Sequence, residues 1–339
     1  MEYTIDTNAT IKEALALLDR SDTQTLFVTD AGGHMRGTLT DGDIRRGILA
    51  GSGLDSPVSD VMRRDFRFLR QDIDVRCLRE FREQRILFLP VLDGNDRIVD
   101  TVNLRECRSR LPVSAVLMAG GKGERLRPLT EHTPKPLLPV GDKAIIDHNV
   151  DRLLSYGIRD IRVTVNYLAE QIEAHFAAPR GGVNVRCVRE PGYLGTAGSL
   201  RLLHDLPGET VLLMNSDLFT NIDFEDFYLH FKKYDADLSV AAIPYNVSIP
   251  YGILNLEGRD VKGIVEKPVF NYYAGAGIYL MKKSVFGFIP EGEPFQATDL
   301  IQALAGAGRK VIRYPLNGTW IDIGSLKEYQ KACDLIRHI

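Results

Sequence analysis

The sequence predicts an α/β chain of two units: a small α+β repeat over residues 1–110 and a larger domain on a mixed sheet over residues 113–339. Three observations carry this. The first 110 residues run one helix–strand–turn–strand pattern twice. From Val113 onward, apolar strand-like runs alternate with stretches of helical period, which implies a largely parallel sheet. Two glycine-rich turns follow two of those runs, where such sheets place their ligands.

Composition narrows the functional classes. At 339 residues, 44% apolar and 26% charged, the chain reads as a soluble globular protein of about two domains. A net charge of −3 gives no broad basic field, so no nucleic-acid partner is expected. No apolar run is long enough to span a bilayer, and Glu2, Asp6, Lys12 and Glu13 interrupt any signal-peptide core. The four cysteines (Cys77, Cys107, Cys187, Cys333) lack metal-type spacing and suit buried thiols in a reducing compartment. A cytoplasmic protein without a membrane partner is expected.

In chain order, Thr10-Ile-Lys-Glu13 is a capping box ahead of Ala14, Leu15, Leu17 and Leu18, an amphipathic helix. Thr25 to Thr29 reads as a strand, Ala31-Gly-Gly33 as a turn, Arg36 to Thr40 as a second strand, and Asp41 to Ile44 as a helix start. The second copy repeats this course. Asp74 to Phe81 is helical, Ile86 to Leu92 a strand, Asp93-Gly-Asn95 a turn, and Arg97 to Val102 a return strand. Asp30 corresponds to Asp93, and Thr40 to Asn103, at one constant offset.

The two copies resemble a tandem pair of cystathionine-β-synthase-type (CBS) domains, most clearly in Thr38-Leu-Thr-Asp-Gly-Asp-Ile-Arg-Arg46 and Val58-Ser-Asp-Val-Met62. The resemblance implies a regulatory module that holds an adenine or guanine nucleotide through Thr40 and Asp43. It also implies a homo-oligomer, since paired CBS modules tend to dimerise. A helix N-cap is the alternative for Asp41 and Asp43. Asn103 and Glu106 stand at the corresponding places of the second copy, so one nucleotide site per chain is expected.

The larger domain opens on the buried run Ala115-Val-Leu-Met118. Ala119, Gly120, Gly121 and Gly123 follow in one tight turn, where glycines let backbone N–H groups close on an anion. Arg125, Arg127 and Lys135 add positive charge, so the segment reads as a triphosphate cradle. It is not a Walker loop, because Glu124 follows Gly123. It is not a dinucleotide fingerprint, because Leu126 takes the third glycine's place. Helices are expected over Ile145–Tyr156, Ala197–His204 and Ser325–Ile339, and strands over Ile161–Val165 and Val183–Val188. The Phe224, Phe227, Tyr228 and Phe231 stripe is helix packing. Val211-Leu-Leu-Met-Asn-Ser-Asp217 and Thr319-Trp-Ile-Asp322 each end an apolar run in a carboxylate, a natural Mg²⁺ ligand.

Gly-Gly-x-Gly-x-Arg-Leu-x-Pro-Leu-Thr with a following Pro-Lys-Pro resembles the signature of the sugar-1-phosphate nucleotidyltransferases, over residues 113 to about 335. The resemblance implies a Rossmann-like nucleotidyltransferase domain that makes a nucleotide-sugar and pyrophosphate from a nucleoside triphosphate and a sugar 1-phosphate, for surface-glycan precursors. It implies that Ala119, Gly120, Gly121, Gly123, Gly195, Thr196 and Gly198 bind the nucleotide. Asp217 and Asp322 then hold Mg²⁺, and Arg125 and Lys135 neutralise phosphate charge. Glu266 and Lys267, in a Glu-Lys-Pro triplet, hold the sugar and its phosphate beside Gly275, where many relatives carry Asn. Glu190 with Leu-Gly-Thr-Ala-Gly198 looks most like guanylyl-transferring relatives, the mannose-1-phosphate guanylyltransferases, so GTP is the expected donor. The sugar is a hexose, heptose or aminosugar 1-phosphate. Thymidylyl-, uridylyl- or cytidylyltransfer on the same scaffold and a non-catalytic nucleotide sensor stay open.

Overall fold

The computed structural model describes residues 3–337. The chain divides into two compact units, Met1–Arg110 and Leu111–Ile339. Among the described residues no helix is long and apolar enough to cross a membrane.

The first unit holds β1 (Thr4–Asp6), α1 (Ile11–Arg20), β2 (Thr25–Thr29), β3 (Met35–Thr40) and α2 (Asp41–Leu49). It continues with β4 (Leu69–Arg70), α3 (Val75–Glu83), β5 (Phe88–Leu92) and β6 (Ile98–Asn103). The repeat is visible in the pairing: β1 runs parallel to β2 and β2 antiparallel to β3, as β4 to β5 and β5 to β6. Its turns match too. Asp30 Oδ1 accepts the N–H groups of Gly32 and His34, and Asp93 Oδ1 those of Asn95 and Arg97. The N–H of His34 and then the Arg36 guanidinium hold the Asp30 carboxyl well below the usual carboxylate range. The two copies meet where Phe27 stacks on Phe88 at 4.9 Å between ring centres and Met35 N donates to Asp96 O.

The copies differ after their last strand. Thr40 caps α2 in a full capping box with Asp43. Asn103 instead accepts from Arg105 N and donates through Nδ2 to Glu106 Oε1, which closes one turn only. The second copy therefore does not run the whole course of the first; its closing helix is replaced by a turn.

The second unit opens with β7 (Ser114–Ala119), β8 (Pro139–Val140), β9 (Lys143–Ala144), α4 (Ile145–Ser155), β10 (Asp160–Val165), α5 (Ala169–His175) and β11 (Arg186–Arg189). Next come β12 (Thr210–Asn215), β13 (Leu218–Thr220), α6 (Phe224–Lys233), β14 (Leu238–Ser248), β15 (Ile253–Glu257) and β16 (Asp260–Val265). It closes with β17 (Val269–Lys282), α7 (Ala297–Gly306), β18 (Val311–Pro315), β19 (Trp320–Asp322) and α8 (Leu326–Ile336). The sheet order is β11-β10-β7-β12-β17-β14-β18. Strands β11, β10, β7 and β12 are mutually parallel; β17 is antiparallel to both its neighbours, which makes the sheet mixed.

Four sequence expectations are adjusted. The helix expected over Ala197–His204 is a five-residue 3-10 turn, Gly198–Leu202, because no side chain caps its start and Leu203 leaves helical geometry. The strand expected from Val183 begins at Arg186. The closing helix is α8; its expected end at His338 and Ile339 lies outside the described residues. The four thiols are free and half-buried rather than buried.

Packing fixes the floor of the sheet's carboxyl end. Leu126, Val140, Ile145, Ile321, Ile323 and Ala332 form one buried cluster that joins the glycine-rich segment, α4, β19 and α8. Each large side chain buried there contributes on the order of 2 kcal/mol. Asn149, on the buried face of α4, spends its amide on the chain beyond β12: Nδ2 donates to Ser216 O at 3.1 Å and Leu218 O at 2.9 Å. The only residue between those carbonyls is Asp217. Asn149→Ala leaves two buried carbonyls unpaired and should cost about 2–3 kcal/mol of stability. Chemical denaturation measures this, and an unchanged midpoint would contradict it.

Candidate active site

The glycine-rich segment leaves β7 at Ala119 and turns at Gly123, whose φ of +62° is left-handed. A Cβ at position 123 would also stand 3.1 Å from Lys135 Cβ and from Thr130 Cγ2. Thr130 Oγ1 donates to Gly123 O at 2.8 Å, and Tyr167 Oη donates to Thr130 O, so the loop closes on itself. A short 3-10 turn, Glu124–Leu126, buries Leu126 and leaves Arg125 exposed. The Arg125 guanidinium lies against Gly324, where a Cβ would stand 3.3 Å from its nearest nitrogen.

Lys135 is almost wholly buried and reaches between two carboxylates. Its Nζ contacts Asp217 Oδ2 and lies 4.0 Å from Asp322 Oδ1. Asp217 sits two residues past the end of β12, and Asp322 ends β19, which pairs with β13 directly after Asp217. Ser216 Oγ donates to Met118 O at 2.5 Å and ties this bend to β7. Burial, and then the charge of Asp217, holds the Asp322 carboxyl above its ordinary value, against the pull of Lys135 and Arg125.

Asp217 Oδ1 is buried without a hydrogen-bond partner. No cluster of three or more His, Cys, Asp or Glu able to hold a metal occurs among the described residues. Two carboxylates, one with an orphaned oxygen, fit Mg²⁺ nonetheless, because Mg²⁺ binds through one or two carboxylates and completes its shell with water and phosphate oxygens.

Across the cleft, Glu190 is buried and accepts the N–H of Leu194 at 3.2 Å. Burial pushes its carboxyl up, opposed by that N–H. A Cβ at Gly120 would stand 3.1 Å from Glu190 Oε1, so the carboxylate rests against the cradle's first glycine. The loop after it is anchored from a distant segment. Gly195 has φ +74°, and a Cβ there would stand 2.6 Å from Phe295 O; one at Gly198 would stand 2.9 Å from Glu293 O. Thr196 N and Oγ1 both donate to Gln296 Oε1, and Ala297 N donates to Thr196 Oγ1.

The structure thus brings Ala119, Gly120, Gly121, Gly123, Arg125, Lys135, Glu190, Gly195, Thr196 and Asp217 to one cleft. Asp322 adjoins it through Lys135, and Gly198, not among the lining residues, packs against Leu194 and the backbone at Glu293. Glu266, Lys267 and Gly275 are not among the lining residues. Glu266 and Lys267 belong to the excursion between β14 and β17, where Lys267 has a left-handed φ of +45° and Glu266 packs against Gly252, while Gly275 lies within β17. Thr40 and Asp43 are in the first unit and already satisfy each other: Thr40 Oγ1 donates to Asp43 Oδ2 at 2.6 Å, and Asp43 Oδ1 accepts from Arg46.

Sequence reasoning missed Gln296, Asn149 and Asn215. Asn215 lines the cleft and packs on Gly277, where a Cβ would stand 2.6 Å from its Nδ2. Asn149 left a faint signal as a lone amide among the apolar positions of its helix. Gln296 left none, since its partner is 100 residues away in sequence.

A mixed sheet that gathers a glycine cradle, cations and paired carboxylates at one end defines an α/β nucleotide-handling protein. The chain belongs, more narrowly, to the nucleotidyl transferase family, whose model matches residues 114–338. Residues 2–50 match the CBS domain model. The mannose-1-phosphate guanyltransferase of Yarrowia lipolytica is 30% identical over 226 residues, 64% of this chain and 62% of that one. The mannose-1-phosphate guanylyltransferase catalytic subunit beta of Dictyostelium discoideum is 28% identical over 234 residues, 66% of this chain and 64% of the relative. The chain therefore spans less than two thirds of these relatives. A crystal structure from Bacillus anthracis, assigned as a glucose-1-phosphate thymidylyltransferase, is similar at a TM-score of 0.55 and 27% identity, covering 67% of this chain and 96% of that one.

The raised Asp322 carboxyl has a signed consequence for stability. A carboxyl whose folded-state pKa is raised favours the fold while protonated. That contribution is complete below the unfolded value of about 3.9 and is lost as pH rises through the folded value. Asp322→Asn should therefore raise the melting temperature at neutral pH, and the gain should shrink as pH falls toward about 4. Thermal melts across pH check this; a variant less stable at neutral pH would refute it.

Proposed function

We propose that the chain is a Mg²⁺-dependent sugar-1-phosphate nucleotidyltransferase that uses GTP. The observation that carries the reading is Lys135, held between Asp217 and Asp322 at the mouth of the glycine cradle. A phosphate oxygen of the sugar 1-phosphate attacks the α-phosphorus of GTP in line. The bond from that phosphorus to the bridging α–β oxygen breaks, and pyrophosphate leaves. The attacking oxygen is already anionic, so no general base is required, and the work is positioning and charge neutralisation. Backbone N–H groups from Gly120 to Gly123 bind the triphosphate, Arg125 takes the leaving pyrophosphate, and Lys135 offsets charge on the α-phosphate. Asp217 and Asp322 would hold Mg²⁺, which supplies Lewis-acid stabilisation of phosphate oxygens when bound.

Glu190 supports guanine as the base, since a buried carboxylate can accept from both the N1–H and the exocyclic amine of guanine. The guanylyltransferase names of the relatives agree. Glu266 and Lys267 would hold the sugar phosphate, which requires their loop to come nearer the cleft than it stands here.

Pyrophosphate release across a matrix of triphosphates and sugar 1-phosphates tests this. GTP should exceed UTP, CTP, dTTP and ATP; a winning dTTP would move the assignment to thymidylyl transfer. Asp217→Asn and Lys135→Ala should each lower turnover by about 10²–10³ with the fold intact. Near-normal turnover at saturating Mg²⁺ in either variant would sink the assignment.

The first unit is the regulatory part of this reading, taking one adenine or guanine nucleotide at Thr40 and Asp43. Both face the N-terminus of α2, which favours phosphate. The nucleotide must displace the Arg46 contact of Asp43. Calorimetry of the full chain with AMP should show binding that Asp43→Ala abolishes. Equal AMP binding by that variant would place the nucleotide elsewhere.

A further inference from the structure

The cleft is unevenly furnished. Arg125, Lys135 and Asp217 crowd its phosphate side, yet its lining includes a single aromatic side chain, Tyr193. That ring is 55% exposed, and among the described residues no hydrogen bond, ring contact or cation contact holds it. A large amphipathic ring left without a partner in the wall of a cleft is a platform for a flat ligand.

The root of the ring is fixed although its face is open. Pro191 locks its own φ and disfavours helical backbone at Glu190. Glu190 N donates to Val165 O at 2.9 Å, which ties the start of the turn to the end of β10. At the other end Leu194 is buried. Its N–H donates to Glu190 Oε2 at 3.2 Å, and its carbonyl accepts from Phe295 N at 2.9 Å. The Glu190 carboxylate thus closes the turn that carries Tyr193. Between the pinned ends the chain stands clear of the protein, because a Cβ at Gly192 would meet nothing within 4 Å.

One turn therefore offers two kinds of contact. A nucleobase is read along its edge by hydrogen bonds in its own plane, and it is held on its face by stacking. Glu190 is the buried acceptor, and Tyr193 is the ring beside it. We propose that Tyr193 stacks on the guanine of GTP and is a specificity-determining residue for the base, an inference that rests on the nucleotidyl-transfer reading above. The two residues divide the choice. Glu190 favours guanine over adenine, whose N1 lone pair would face the carboxylate without a proton between them. Tyr193 favours purines over pyrimidines, because the gain from stacking grows with the ring area covered. The phenol hydroxyl has no part in this, so phenylalanine should serve equally well.

Calorimetry of the full chain in Mg²⁺ with GTP, CTP and inorganic tripolyphosphate tests the proposal. Tyr193→Ala should bind GTP about 10- to 100-fold more weakly than the wild type. CTP binding should fall less, so the preference for GTP over CTP narrows. Tripolyphosphate, which has no base, should bind the variant within about twofold of the wild type. Tyr193→Phe should match the wild type with all three ligands. Equal GTP affinity in a well-folded Tyr193→Ala would overturn the stack and leave the transferase reading intact. So would a failure of Tyr193→Phe to keep GTP affinity. A parallel loss of tripolyphosphate binding in Tyr193→Ala would assign Tyr193 to the posture of the phosphate loop and overturn the stack too. A wild type that binds no GTP would overturn this inference and the guanylyl reading together.

Discussion

Two carboxylates and one ammonium, drawn together in a poorly solvated corner, organise the larger unit. Asp217 and Asp322 repel each other, and Lys135 between them offsets that repulsion. The three residues come from the end of β12, from β19 and from a turn after the glycine loop. Their meeting requires β13 to pair with β19 and the Leu126–Ile321–Ile323 cluster to seal beneath. Asn149 and Ser216 hold the backbone on either side of Asp217, so that carboxylate has little freedom to retreat. The buried Asp217 Oδ1 keeps lone pairs that no protein donor uses.

Much of this was legible in the sequence because it depends on backbone constraints with few chemical solutions. Gly123 and Gly195 both take positive φ where a Cβ would be crowded, at Gly123 by the Lys135 and Thr130 side chains and at Gly195 by the Phe295 carbonyl, and glycine meets both demands. The internal repeat was legible through Asp30 and Asp93, whose side chains make the same turn in each copy. Contacts between distant segments were not legible. Gln296 means nothing until Thr196 is beside it, and Asn215 nothing until Gly277 makes room. The stretch after Ala197 misled for a related reason. Its spacing is helical, but Gly198 is pressed against the backbone at Glu293, and the turn tightens to 3-10 geometry.

The sheet itself departs from simple parallel winding at β17. This strand of 14 residues serves two environments: its second half lies in the core beside β12, while its first half leaves with β14 as an exposed ribbon. The change falls at an irregularity opposite Val240 and Ala242, where Gly277 takes φ +71°. Trp320 Nε1 donates to Ala276 O there, so the hinge between core and ribbon is fastened to the strand that carries Asp322.

The attachment of the Gly195–Gly198 loop to the segment before α7 reaches beyond shape. The phosphate cradle is held by its own short-range contacts and the cluster beneath it, whereas this loop takes its posture from Phe295 and Gln296. The two halves of the cleft are therefore inherited from separate stretches of the gene. Sequence drift around residues 293–299 can reshape the wall beside Glu190 while every cation and carboxylate of the opposite half keeps its place. If the proposed nucleotidyl transfer holds, a fold wired in this way can change which base it accepts without relearning how to handle phosphate.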